Sequence, residues 1–401
     1  MDQAKNTASV ARLTDNTGSA LKIGVIGIGN AGSQVAMVAE KNHHNVLVMN
    51  TSVKDLADEV LGKEMKAIRI GDGRGSGKDR ENSMDLLKSK GADGLREILD
   101  NPYFKSVVEP ADIVFICFST GGGTGSGIGP YMAKLIGKAY KSKLIIPYGI
   151  LPKKSESVTA QANTIACVDD IVKNGTPYML ADLEYYATDP MEVAYEKIGQ
   201  YIAETMNVIR GDYLRMSTAG MADERDMMTV LSAPGYLTVH FADGITDTDL
   251  QSKTLQGFLI DALKRSPMCP PQHDGLVQYN CVIAHCPAHL TDALKNGDFS
   301  ELNGYIGEPK ATFSNYAVDE TIAEAEVVVI HSGMTVPMDR FAEPKAKVAA
   351  NKAKYEKSSA LSLASTRQAT ELHKDASASA IVMGSGKSSG ADLSFLDSEE
   401  F

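Results

Sequence analysis

IVFICFSTGGGTGSG, residues 113–127, runs from six consecutive apolar residues straight into a seven-residue loop that carries five glycines. An unbroken apolar run without polar alternation marks a strand buried on both faces of a parallel sheet. The segment after the loop reads as a helix through about Tyr140, so the glycines lie between a strand end and a helix start. There they let the backbone approach a ligand closely, while the helix offers unpaired N–H groups and the positive end of its dipole. Thr124 and Ser126 add hydroxyls to Gly121, Gly122, Gly123 and Gly125. The segment reads as a phosphate-binding nest.

Upstream, Ile23–Gly27 is a short apolar strand that enters GIGNAG, Gly27–Gly32, with an amphipathic helix expected from about Ser33. The G-x-G-x-x-G pattern alone is shared with dinucleotide-binding oxidoreductases, which usually carry an acidic residue about twenty positions on for the ribose. Here the next strand, Val46–Asn50, ends in Asn50-Thr51-Ser52, which weakens the NAD reading. One glycine loop suits a pyrophosphate; two facing loops suit a triphosphate. Leu144–Leu151 is a fourth strand, halted by Pro152. Strands alternating with helices, with glycines at the strand ends, predict an α/β fold built on a doubly wound, mostly parallel sheet.

With 401 residues and 43% apolar content, the chain can bury a large core and is long enough for two domains and a tail. A net charge of −11 argues against coating nucleic-acid phosphates with Lys and Arg, but not against DNA reached through a basic adaptor. The first twenty residues are polar, and no apolar stretch has membrane-spanning length. The expectation is a cytoplasmic protein with no membrane contact and no direct nucleic-acid binding. Cys117, Cys167, Cys269, Cys281 and Cys286 lack CxxC pairing and read as reduced core thiols.

Asp189-Pro190 reads as N-cap and first position of a long helix with an apolar stripe at Met191, Ala194, Ile198, Ile202 and Ile209. It reads as a strut to a second, smaller α/β domain. Strands are expected there at Tyr236–Phe241, Tyr279–His285, Ala311–Val318 and Glu326–His331, with a helix near Ser252–Lys264. The division is an arm over 1–20, a nucleotide domain over 21–188, the central helix over 189–212, the second domain over 213–335, a long basic surface helix over 336–374, and a flexible acidic tail over 375–401.

GGGTGSG resembles the signature loop of the tubulin/FtsZ superfamily, shared by tubulin, FtsZ, TubZ and phage tubulins. Gly29, Asn30, Ala31, Gly32, Ser33 and Gln34 resemble its first nucleotide loop, and Asn50-Thr51 the opening of its second. GDGRGSGKDRE, Gly71–Glu81, resembles the third and brings in Gly75 and Gly77. Pro152 through Glu156 resembles the ribose-side loop. Asp182 and Glu192 fall where the family reads guanine. Met221-Ala222-Asp223-Glu224-Arg225-Asp226 resembles the loop whose N-x-D-x-x-D pattern completes the neighbouring subunit's active site, with Met221 in place of Asn.

The resemblance implies a filament-forming GTPase, nearest the TubZ branch, that binds GTP or GDP with Mg2+ held through phosphates and water. Asp223 and Asp226 of one subunit would orient water on the next subunit's γ-phosphate. The branch implies DNA cargo, plasmid or phage, reached through an adaptor on the C-terminal helix or tail. A phage-positioning spindle, a nucleotide-binding regulator that does not polymerise and an NAD-dependent oxidoreductase are the rival readings.

Overall fold

The computed structural model describes residues 21–62, 64–211, 219–220, 224–271, 275–290 and 299–365. The expected arm, Met221, Asp223 and the tail lie outside these residues, as does the long helix beyond Ser365. The frame is a sheet of eleven strands. In chain order they are β1 Ile23–Ile28, β2 Asn45–Asn50, β3 Ala67–Arg69, β4 Ile113–Ser119, β5 Leu144–Leu151, β6 Pro177–Asp182, β7 Ala219–Gly220, β8 Gly235–Ile245, β9 Tyr279–Cys286, β10 Ala311–Val318 and β11 Ala325–Met334.

The first six strands are parallel and lie in the order β3-β2-β1-β4-β5-β6. β1, β4 and β5 are apolar runs because helices cover both faces of this sheet; Val25, Ile26, Ile116, Phe118 and Ile146 are inaccessible to solvent. Each fully buried side chain of this kind contributes about 1.5–3 kcal/mol. The chain winds outward from β1 to β3, returns, and winds outward again from β4 to β6. The reversal lies between neighbours β1 and β4, where Ile28 pairs with Phe118. Loops leaving the carboxyl ends of those two strands must open side by side, the position that open α/β sheets use for ligands.

The helix Met191–Ile209 buries Ala194, Ile198, Ile202, Met206 and Ile209 and packs on the helix Gly29–Lys41. Its start differs from the expectation. Pro190 holds the N-cap position, no side chain caps the helix, and Asp189 takes Lys197 Nζ at 2.8 Å instead. The first helix likewise starts at Gly29, a turn before Ser33.

Past this helix the sheet continues in the order β8-β11-β9-β10-β7. β8 joins β6 by only two pairs, Pro177 with Gly235 and Tyr178 with Tyr236, while β11 pairs antiparallel with both β8 and β9. The expected helix near Ser252–Lys264 is two helices, Asp247–Ser252 and Leu255–Lys264. Thr246 and Thr254 each cap one, and extended Lys253 breaks the run. A smaller apolar cluster, including Leu259, Val282, Leu302 and Val327, fills the space between this part of the sheet and its helices. The C-terminal helix, Asp339–Ser365, returns to lie on the helix Val158–Lys173 of the first part.

Candidate functional site: a cleft at the crossing point of the sheet

A cleft of about 410 Å³ opens at the carboxyl ends of β1 and β4. Its floor is Gly29, Asn30 and Ala31 after β1 together with Gly121–Gly123, Thr124 and Gly125 after β4; Thr51, Gly75, Ser76 and Lys78 form one wall. The helices Gly29–Lys41 and Thr124–Ala139 both start here, with Ile28 and Gly123 at their N-caps and no side-chain cap on either. Asp79, Asn101, Ser157, Thr246 and Thr254 cap their helices, while Gly91–Leu99, Met191–Ile209 and Ser300–Ile306 also start without a side-chain cap. Two helices whose first N–H groups are left free at one cleft make an anion site of considerable positive potential.

The glycines are required by space. A Cβ on Gly29, where φ is +73°, would lie 3.2 Å from the Gly125 nitrogen, so the two floor loops touch through bare backbone. A Cβ on Gly123 would overlap Ser76 Oγ and lie 2.8 Å from the Asp79 nitrogen. Gly32 packs without clearance against the Cys117 carbonyl. It sets the helix close on the sheet and does not line the cleft.

Hydroxyls tie the loops together. Thr124 Oγ1 lies 2.7 Å from Thr51 Oγ1 and 3.2 Å from Ser76 Oγ, which joins three loops at one atom. Ser126 is buried and donates to the Gly122 and Gly123 carbonyls; Ser33 donates to the Gly29 carbonyl at 2.9 Å. Asn163, on the helix Val158–Lys173, donates to the carbonyls of Lys78, Gly121 and Gly122 at 3.0, 3.2 and 3.4 Å. Ser83 Oγ reaches the Gly123 carbonyl at 3.1 Å. These bonds engage the loop carbonyls from behind the cleft.

The opposite wall holds Glu156, Ala160, Met191 and Tyr195. Burial pushes the Glu156 carboxyl above its usual range, against the Lys153 N–H that it accepts at 3.0 Å. Asn50 donates to Asp55 at 3.2 Å on the other side.

Of the residues expected at the site, Gly29, Asn30, Ala31, Thr51, Gly75, Gly121–Gly123, Thr124, Gly125 and Glu156 line the cleft. Ser33, Gly32 and Ser126 brace it from behind. Gln34 and Gly77 do not line it, and Pro152 stands one layer back with its ring over Gly121. Asp182 is a correction. Its buried carboxylate is engaged by the Arg340 guanidinium, Nη2 lying 3.0 Å from Oδ1, and it does not line this cleft. It borders a different cleft. Glu192 is exposed on the first turn of its helix, beside Met191. Asp226 is partly buried on the helix Glu224–Leu231, away from the cleft and near Cys281. Sequence reasoning missed Ser76, Lys78 and Asn163. The first two stand inside the quoted GDGRGSGKDRE and were legible there; Asn163 carries no local signal.

Another cleft, about 470 Å³, lies between the helix Met191–Ile209 and β8, with Glu204, Asp243, Asp261 and Glu326 in its lining. Four carboxylates repel a polyphosphate, and no glycine loop enters it. The loop-lined cleft is the better fit to a triphosphate.

Two uncapped helix starts and glycine loops on three sides of one cleft are the geometry of a nucleoside triphosphate site. Residues 22–182 match the Tubulin/FtsZ family, GTPase domain. Residues 22–182 belong to the tubulin/FtsZ family. The tubulin-like protein CetZ of Thermococcus kodakarensis is 26% identical over 320 residues, covering 77% of this chain and 81% of that protein. The tubulin-like protein TubZ of Clostridium botulinum C phage is 25% identical over 326 residues, covering 80% and 82%. These near-equal identities do not separate the two branches. Among solved structures, a GTPγS-bound protofilament of CetZ2 from Haloferax volcanii superposes with a TM-score of 0.66 at 19% identity, covering 83% of this chain and all of that one. A GTPγS-form protofilament of Bacillus thuringiensis serovar israelensis TubZ superposes with a TM-score of 0.66 at 18% identity, covering 87% and 95%. At these identities the structures speak for the fold. Most of the cleft lining, from Ile28 to Ala160, lies within the matched GTPase domain.

Proposed function

We propose that the chain binds GTP in this cleft, assembles end to end, and hydrolyses the nucleotide at the junction between subunits. The observation that carries the reading is the convergence of two uncapped helix starts and a hydroxyl-tied set of glycine loops on one cleft. The triphosphate lies on the floor N–H groups with Lys78 at its edge. Among the described residues no cluster of three acidic, His or Cys groups could hold a metal. Mg2+ would be carried by the phosphates and water, with the Thr51, Ser76 and Thr124 hydroxyls among the cleft's lining. Guanine is read near Met191 and Tyr195, where Glu192 can accept its paired N–H donors, while Asp182 does not line the cleft.

Assembly is supported by the relatives whose structures are protofilaments, the Haloferax CetZ2 and the Bacillus TubZ. In such a filament Asp223 and Asp226 of one subunit orient water on the γ-phosphate held by its neighbour. Filament turnover then moves plasmid or phage DNA through a DNA-binding adaptor on the C-terminal helix or tail.

The test is a titration of protein with GTP and Mg2+ that records pelletable polymer and phosphate together, for wild type and Asp226→Ala. Wild type is expected to show a threshold concentration above which both rise, and the variant to pellet while releasing little phosphate. Phosphate release linear in protein, with no threshold and no pellet, would sink the filament reading.

A further inference from the structure

The loop over residues 152–156 forms the Glu156 wall of the cleft, and its own backbone does little to hold it. Among the described residues its one internal backbone bond is Glu156 N–H to the Lys153 carbonyl at 3.0 Å. It is otherwise tied from outside: the Lys154 N–H donates to Glu184 at 2.7 Å, and loop carbonyls accept from two helices. Gln161 donates to Lys153 at 2.8 Å from the following helix. Three further bonds come from the C-terminal helix. Arg340 Nη2 donates to the Pro152 carbonyl at 2.8 Å, and Lys347 Nζ donates to Lys154 and Glu156 at 3.2 and 3.1 Å. Lys154 Nζ in turn meets Glu343 at 3.2 Å.

We propose that Arg340 and Lys347 are positioning residues of the nucleotide site, through which the C-terminal helix controls how firmly the cleft holds its ligand. The inference rests on the GTP reading of that cleft and adds a control element outside the matched GTPase segment. Arg340 is held in place by its paired contacts with Asp182 at the end of β6, and both side chains are almost inaccessible to solvent. The guanidinium fork therefore has one fixed orientation, and Nη2, which donates to Asp182, also donates to the Pro152 carbonyl. Pro152 carries the constraint inward, because its ring lies against Gly121 on the cleft floor. Lys347, two turns further along the same face of the helix, fixes the backbone that presents the Glu156 side chain. The same helix packs on Val158–Lys173, which supplies Asn163 to the Gly121 and Gly122 carbonyls. Anything that shifts the C-terminal helix shifts the Glu156 wall, and by reciprocity nucleotide in the cleft makes the helix harder to displace.

The experiment measures release of a fluorescent GDP analogue, chased with excess GDP, from the full chain, with thermal unfolding in parallel. Lys347→Met is expected to release roughly three- to tenfold faster, the scale of two lost hydrogen bonds on a solvent-facing side chain, with no change in unfolding midpoint. Lys347→Arg is expected to restore slow release, and Lys345→Met, an exposed lysine on the same helix, to behave as wild type. Arg340→Met alone strands a buried Asp182 charge, which can prevent folding. The paired variant Arg340→Met, Asp182→Leu removes both charges and is expected to release about tenfold faster. The proposal is overturned if Lys347→Met and the paired variant both release at the wild-type rate, or if faster release tracks a lowered midpoint and Lys347→Arg does not rescue it. Wild type that binds no guanine nucleotide overturns the GTP reading itself, a result distinct from both.

Discussion

Thr124 is where the cleft is most open to a quantitative test. Its hydroxyl meets Thr51 at 2.7 Å and Ser76 at 3.2 Å, and Thr51 is fully buried. Thr124→Val keeps the side-chain outline and deletes both bonds. A net intramolecular hydrogen bond is worth about 0.5–1.5 kcal/mol, so the pair contributes about 1–3 kcal/mol. At tenfold per 1.4 kcal/mol, nucleotide affinity should fall about 5- to 150-fold. The loss belongs to binding, because the tie holds three loops ready for a ligand that would otherwise have to order them. Isothermal titration of GDP into wild type, Thr124→Val and Thr124→Ser measures it directly. The serine variant keeps the hydroxyl and should bind within a few-fold of wild type. Wild-type affinity in Thr124→Val would refute the tie, and equal losses in both variants would show that the methyl group matters as much as the hydroxyl.

Other consequences follow from groups outside the cleft. His240 is buried in β8 with neither ring nitrogen bonded among the described residues, 5.9 Å from the His331 ring, and burial lowers both residues below the usual histidine range, His331 to about 3. Both folded values are depressed, so the unfolded chain binds more protons and stability is lost as pH falls through 6.5. Each ring costs about 2 kcal/mol at pH 5, and His240→Leu should abolish roughly half of the difference between denaturation free energies at pH 7.5 and pH 5. Asp243 behaves in the opposite sense. Burial first and Glu326 second raise its carboxyl to about 6, so stability falls as pH rises between the unfolded carboxylate range and 6. Asp243→Asn should raise the unfolding midpoint at pH 8 and leave it unchanged at pH 4. Water reaches the mouth of that cleft, and the gain is about 0.5–1 kcal/mol. Gly32→Ala should destabilise by about 3 kcal/mol or more in urea, since its Cβ would meet the Cys117 carbonyl of a central strand that cannot move aside.

Local signals made the first half of the chain legible. The apolar runs of β4 and β5 are readable to the residue because burial on both faces leaves no polar alternation to blur their ends. GGGTGSG and GIGNAG are readable because a backbone that must approach a ligand or another loop excludes Cβ atoms, and only glycine records that need in sequence. β6, PYMLAD, escaped because a Pro, a Tyr and an Asp interrupt its apolar character, and its two-pair join to β8 has no local signature. The five cysteines read as core thiols and are all buried.

The chain by itself determined which segments become strands and which loops are bare enough to bind phosphate, since those depend on neighbours a few residues away. The tertiary structure decided which loops meet and which charges remain available. Asp182 had the residue type a guanine contact needs, and no feature near it announces that Arg340, 158 positions later, takes its carboxylate. Lys347 read as part of a basic surface helix, yet it secures a cleft wall 191 positions upstream. A charge is assigned by the partner that reaches it first in space, and that partner is set by how the sheet brings distant segments together.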